Sequence, residues 1–246
     1  MLNLPFRTSG EVLGIDITES GAAMVQAVPS GKQGPMIRGS GTFPWEEEEK
    51  ERLLYRKVRE IVRPRTPTVS TLPMDSYQLL QVQPPRVKES EMRMAVSWQI
   101  KDLIDYPLEQ AVIDVFPAPE APGLGEMVYV VAAHREAVRV RVGLLERARL
   151  KIRAVDIPEM ALRNVAHLEP EASSAIALLH MEQDSGLILV FKEGILYVAR
   201  RMPLGLNQVL YTAEEEPQNE MLESGEGENQ NLESVLLDLQ RPLAYF

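Results

Sequence analysis

Cysteine is absent from all 246 residues. Disulfides and thiolate metal sites are therefore excluded, and a reducing compartment is the easier home. Long apolar runs are missing as well. No uninterrupted stretch approaches the roughly 18–20 residues that cross a bilayer as a helix, and the opening MLNLPFRTSG lacks the basic-then-apolar pattern of a secretory signal. These features read as a soluble, cytoplasmic protein. Histidine is scarce: His134, His167 and His180 fall on separate segments without ligand-like spacing. Neither a metal centre nor a catalytic triad is expected from them. There is no G-x-S-x-G elbow and no P-loop pattern.

A basic excess is also lacking. The formal net charge is −10, but residues 214–228, EEEPQNEMLESGEGE, hold seven Glu and no Lys or Arg. The rest of the chain is thus close to neutral. A dedicated nucleic-acid binder would need a basic field on its body, so no nucleic-acid partner is expected.

What is present is ordinary globular material, 45% hydrophobic and 25% charged, in a length sufficient for two domains. Strand-like runs at 11–17, 22–28 and 35–43 are separated by Gly and Ser turns. In PWEEEEKERLLYRKVREIVRP the period changes to i, i+4, i+7, i+8 at Leu54, Val58, Ile61 and Val62. This predicts an amphipathic helix that ends before Pro64, with its Glu run as a solvated start suited to the helix dipole. The strand TVSTLP follows.

Residues 77–157 alternate in period: strand YQLLQVQ, helix KESEMRMAVSWQIKDLID, strands AVIDVFPA and MVYVVAAH, helix REAVRVRVGLLERAR, strand KIRAVDIP. In the first helix Met92, Val96, Ile100 and Leu103 share a face, and in the second Val138, Val142 and Leu145 point inward. The order fits a split βαβ sheet, or a small insert whose closing strand returns to the first sheet. Arg135, Arg139 and Arg149, with Glu146 among them, read as a solvated face. The alternative is a docking face for an acidic segment or anionic headgroups. Helical periodicity places Trp98 and Tyr106 in the core; if exposed, either becomes a candidate partner anchor. After a helix near 158–167, SAIALLHM, GLILVFKEG and ILYVARRMPLG form a meander with turns at Asp184–Gly186 and Glu193–Gly194. The acidic stretch 212–230 is expected to be mobile. The final segment is helical at Leu232, Leu236, Leu239 and Leu243, with Pro242 kinking or ending it.

Two meander-plus-helix halves, the first carrying an insertion, make the plan of an actin-like α/β fold. The expected divisions are 9–75 plus about 151–172 for the first subdomain, 76–150 for a β-α-β-β-α insert, and 173–246 for a partial second subdomain. One question concerns Asp16, which ends the first run in EVLGIDITESGAAMVQAV. A carboxylate at a strand end, before a tight turn of free N–H groups, can grip a metal–phosphate pair, or can simply suit a turn.

The stretches LGIDITESGAAMVQ, EMRMAVSWQIKDLIDYPLEQAVIDV, VYVVAAHREAVRVRVGLLERARLKIRAVDIPEMAL and GLILVFKEGILYVARRMPLG resemble PilM-type and MshI-type proteins of type IV pilus assembly. Those proteins are relatives of FtsA and, more distantly, of the GspL cytoplasmic domain. Trp98–Gln99 followed by Tyr106–Pro107–Leu108 is the most specific match, and the MshI branch of mannose-sensitive haemagglutinin pili is the nearer. Nucleotide-binding members read Asp-x-Gly in both hairpins, where glycine lets backbone N–H groups approach phosphate. Here Asp16, Thr18 and Ser20 stand at the first set of positions, with Thr in place of Gly. The second hairpin reads His180-Met181-Glu182. The resemblance therefore implies a degenerate site, no bound ATP or magnesium, and no enzymatic activity. In the family a further α/β portion with adenosine contacts follows the last helix, whereas this sequence ends at Phe246, so an incomplete second half is expected. The implied role is a scaffold at the inner-membrane face that binds the N-terminal tail of a PilN-like (MshJ-like) protein, with the assembly ATPase as a further partner. Trp98, Tyr106, Arg135 and Arg139 are the candidate partner contacts. The alternatives are an actin-like ATPase and a GspL-like secretion domain.

Overall fold

The computed structural model describes residues 10–30, 34–62, 66–120, 125–168 and 175–207. The acidic stretch 212–230 and the terminal helical pattern lie outside them. The chain divides into two compact units, one ending at Leu162 and the other starting at Arg163.

In the first unit, β1 (Val12–Ile17) buries alternate residues: Leu13, Ile15 and Ile17 face inward, while Gly14 and Asp16 face out. It forms a meander with β2 (Gly21–Pro29) and β3 (Pro35–Pro44). A parallel neighbour cannot be reached by a hairpin, so α1 (Lys50–Ile61) carries the chain across to β4 (Pro67–Thr71) beside β1. The Glu run coils into a 3-10 turn, Glu47–Glu49, before α1, and Leu54 and Val58 fill the inner face of the helix.

The chain then leaves this sheet. β5 (Tyr77–Val82), α2 (Glu89–Ile100), β6 (Ala111–Pro117) and β7 (Val128–His134) build a three-stranded sheet of order β5-β7-β6. Its own core contains Val82, Val96, Ile100, Ile104, Ala111, Val130 and Ala132. α3 (Arg135–Arg147) and β8 (Lys151–Asp156) return to the first sheet. β8 pairs parallel to β4, completing the order β3-β2-β1-β4-β8, so the closing strand does not join the insert. Leu144, Leu145 and Ala148 of α3 pack in one cluster with Leu13, Ile15, Ile17, Leu54 and Trp45. Fully burying each large apolar side chain there contributes roughly 1.5–3 kcal/mol. Although residues 76–150 read as one insert in the sequence, the last helix of that span gives its apolar face to the first core. A buried hydrogen bond of 2.5 Å from the Tyr77 hydroxyl to Glu159 ties the start of β5 to α4 (Pro158–Ala166).

The second unit contains the meander β9 (Ala175–Met181), β10 (Gly186–Lys192) and β11 (Ile195–Met202), in the order β11-β10-β9. Glu193 and Gly194 both have positive φ, 52° and 75°, the conformation a two-residue hairpin turn needs. Meander, crossover helix, parallel strands, inserted small sheet and second meander together make the α/β, actin-like plan expected from the sequence.

Three side-chain expectations change. α2 stops at Ile100 and the chain turns, so Leu103 leaves the helical register and is 55% exposed, while Ile104 takes the buried place. Trp98 is not core: it is 64% exposed on the outer face of α2. Arg149 lies past the end of α3 at φ 59°, off the helical face shared by Arg135 and Arg139.

Candidate functional site

The β1–β2 turn collects Asp16, Thr18 and Ser20, but their polar groups are turned on the protein itself. The Thr18 N–H donates to the Gly21 carbonyl at 2.9 Å. The Thr18 hydroxyl accepts from the Gly21 N–H and donates to the Gly21 carbonyl, both at 3.1 Å, and lies 3.4 Å from the Ser20 hydroxyl. A Cβ at Gly21 would sit 2.7 Å from the Phe43 carbonyl, so glycine is required there by close backbone approach. The buried Trp45 braces the turn. Its N–H donates to the Ser20 carbonyl and its indole N–H to the Glu19 carbonyl, at 3.1 and 3.0 Å. Asp16 Oδ1 accepts a 2.6 Å hydrogen bond from the Thr71 hydroxyl at the end of β4.

Beneath this turn lies Arg141 of α3, which sequence reasoning missed. Its residue is 6% exposed, and Nη2 donates to the Ile17 carbonyl at 2.7 Å. Nη1 is buried without a hydrogen-bond partner, as is the hydroxyl of Ser70 on β4. Burial pulls the guanidinium pKa below its ordinary value, and the nearby Asp16 carboxylate opposes that fall. Nothing in the alternating run VRVRV marks one arginine as buried. Only the pitch of α3 over the sheet selects it. Two more arginines of the same helix tether other elements. Arg135 donates to the carbonyls of Glu109 and Ala111 at 3.1 and 2.9 Å, and Arg147 pairs with Glu51 of α1 at 2.6 Å.

The second hairpin is also engaged with its own unit. The Glu182 N–H donates to Ser185 at 2.8 Å, and His180 Nε2 lies 3.6 Å from Glu182 Oε1. The segment after β11 lies against the turn: the N–H groups of Leu206 and Asn207 donate to the carbonyls of Glu182 and Gln183 at 2.7 and 2.8 Å. Gly205 makes this approach possible, since a Cβ there would fall 2.3 Å from the Gln183 carbonyl oxygen.

The four candidate partner residues separate. Trp98 is exposed on α2, beside the equally exposed Met94. Tyr106 is half-buried. Its ring stacks on His134 at 3.7 Å, its hydroxyl donates to the Ala132 carbonyl at 2.7 Å, and burial, aided by Asp105, raises its pKa. Arg135 is committed to backbone carbonyls, as above. Arg139 is exposed and forks onto Glu136, and that hydrogen bonding lowers the carboxyl pKa. Among the described residues no group of His, Asp or Glu is arranged to hold a metal ion, and no helix is long and apolar enough to cross a membrane.

A family model described as type IV pilus assembly protein PilM matches residues 78–210. Among solved structures, the PilM–PilN type IV pilus biogenesis complex is similar, at 23% identity and a TM-score of 0.67 over 83% of this chain. The match spans 65% of that solved chain, less than two thirds of its length. The cytoplasmic domain of EpsL, an inner-membrane component of the type II secretion system of Vibrio cholerae, is similar at 16% identity and a TM-score of 0.57, over 87% of this chain and 79% of that one. At these identities the likeness concerns the fold. No curated protein matches.

Proposed function

The chain belongs to the type IV pilus assembly protein PilM family, and on that premise we propose that it is a non-catalytic scaffold at the cytoplasmic face of the inner membrane. It holds the N-terminal tail of a PilN-like protein, of the MshJ kind in the MshI branch. The observation that carries the reading is the insert's separate sheet. β5 and β6 each keep one edge without a strand neighbour among the described residues, and an extended tail with alternating apolar residues can pair along such an edge. α3 supports the arrangement, since Arg135 grips the start of β6 while Arg141 grips the end of β1. The five-stranded sheet and the insert's sheet are thereby joined through one stiff element. The scaffold works without ATP or magnesium, because the hydroxyl of Thr18 occupies the turn and Asp16 is engaged by the Thr71 hydroxyl. Calorimetric titration of a synthetic PilN-like tail tests the reading. Saturable heat, with slower amide exchange in β5 or β6, is expected. No heat and no change in thermal stability at high micromolar peptide would sink it.

A further inference from the structure

α2 carries apolar residues on two opposite faces. Met92, Val96 and Ile100 face the insert's sheet, and Met94 and Trp98 face away from it, 65% and 64% exposed. A helix that is apolar on its outer side has a second surface to cover. The outer stripe continues to Glu91 at one end and Lys101 at the other, both exposed. Lys101 keeps helical backbone angles, φ −54° and ψ −33°, so all four residues lie along one line of the helix. The order along that line is acid, methionine, tryptophan, base.

We propose that this stripe is a docking surface for a second copy of the same chain, with the two α2 helices packed antiparallel about a two-fold axis near Val96. The positions 91 and 101 are symmetric about that centre, as are 94 and 98. Met94 of each copy therefore meets Trp98 of the other, and Glu91 meets Lys101. Both pairings occur twice, as an isologous contact requires. A parallel alignment in register would instead place Glu91 on Glu91 and Lys101 on Lys101. Ala95, beside the apolar pair, is small enough for close helix approach, and antiparallel helix dipoles are favourable. A thioether against an indole is a favourable contact. One helix face buries less than about 1,200 Å² in total, so the association is weak and reversible. Holding several copies at one assembly raises their effective concentration and makes such a contact count. The proposal does not depend on where a partner tail binds.

Sedimentation equilibrium of the full chain, across about two decades of concentration into the high micromolar range, tests it. The weight-average mass is expected to climb from 27.6 kDa toward twice that value. Trp98→Ala should weaken the association about tenfold or more. Glu91→Lys and Lys101→Glu should each weaken it several-fold, and the double swap Glu91→Lys/Lys101→Glu should restore it to within about twofold, because exchanging both signs recreates the pairing. These side chains are exposed, so folding is not at stake, and far-ultraviolet circular dichroism checks that. A chain that stays monomeric throughout overturns the proposal. So does a dimer indifferent to Trp98→Ala, or a double swap that recovers nothing. Binding of a synthetic PilN-like tail that quenches Trp98 in a strictly monomeric chain would assign the stripe to the tail instead.

Discussion

The guanidinium of Arg141 and the carbonyl of Ile17, 124 positions apart in the chain, meet at 2.7 Å inside the first unit. The bond fixes α3 to the end of β1, immediately before the Thr18 turn. Arg141→Ala is expected to cost about 2–3 kcal/mol, since it removes a charge-assisted bond and leaves the Ile17 carbonyl buried without that donor. Arg141→Met should cost less, because it refills the space and removes the desolvation of a buried cation. Urea denaturation gives both values, and an Ala variant as stable as the parent would refute the tether.

Millimolar Mg–ATP is expected to leave the melting temperature unchanged. A ligand at 100 times its dissociation constant would add about 2.7 kcal/mol to the folded state, a shift easily seen. Thr18→Gly should lose about 1 kcal/mol from the broken turn bonds without creating a nucleotide response. A saturable rise that Asp16→Asn abolishes would show that nucleotide does bind.

Gly205→Ala is expected to destabilise the second unit by about 3 kcal/mol, because the new methyl would press on backbone atoms that cannot rotate away. The atoms in question are the Gln183 carbonyl oxygen at 2.3 Å and the Asp184 nitrogen at 2.4 Å. Gly41→Ala on β3 meets nothing within 4 Å and serves as the control, with little or no loss. Faster hydrogen exchange in β9–β11 for the first variant alone would locate the damage.

Burial pushes the Tyr129 hydroxyl up to about 12 from its ordinary 10.0. The folded chain therefore holds this proton more tightly than the unfolded one. The resulting stability is complete below pH 10, the unfolded value, and is lost as pH rises from there toward 12. Denaturant midpoints should fall over that window, and Tyr129→Phe should flatten the fall. An unchanged slope in the Phe variant would remove Tyr129 as its source.

Much of the fold was legible because local period is a local property. The alternation in LGIDI, the turn residues Glu193–Gly194, and the spacing of Leu54 with Val58 each depend on neighbours a few positions away. They specify strand, hairpin and inner helix face whatever else the chain does. The Thr at position 18 also declared itself, since a Cβ and hydroxyl there alter the turn in any context. Three features were settled only by the tertiary structure. Trp98 and Val96 are both apolar on α2, and periodicity alone does not say which of two apolar faces meets a sheet. The strand KIRAVDIP had two possible neighbours, and β4 became its partner because α3 packs on the first sheet. Arg141 is one of several arginines on α3, and it became the buried one because the axis of the helix puts that position under the end of β1. The sequence thus determined which residues share a face. Which face is covered, and by what, is a relation between distant segments, set by how the helices and sheets pack together.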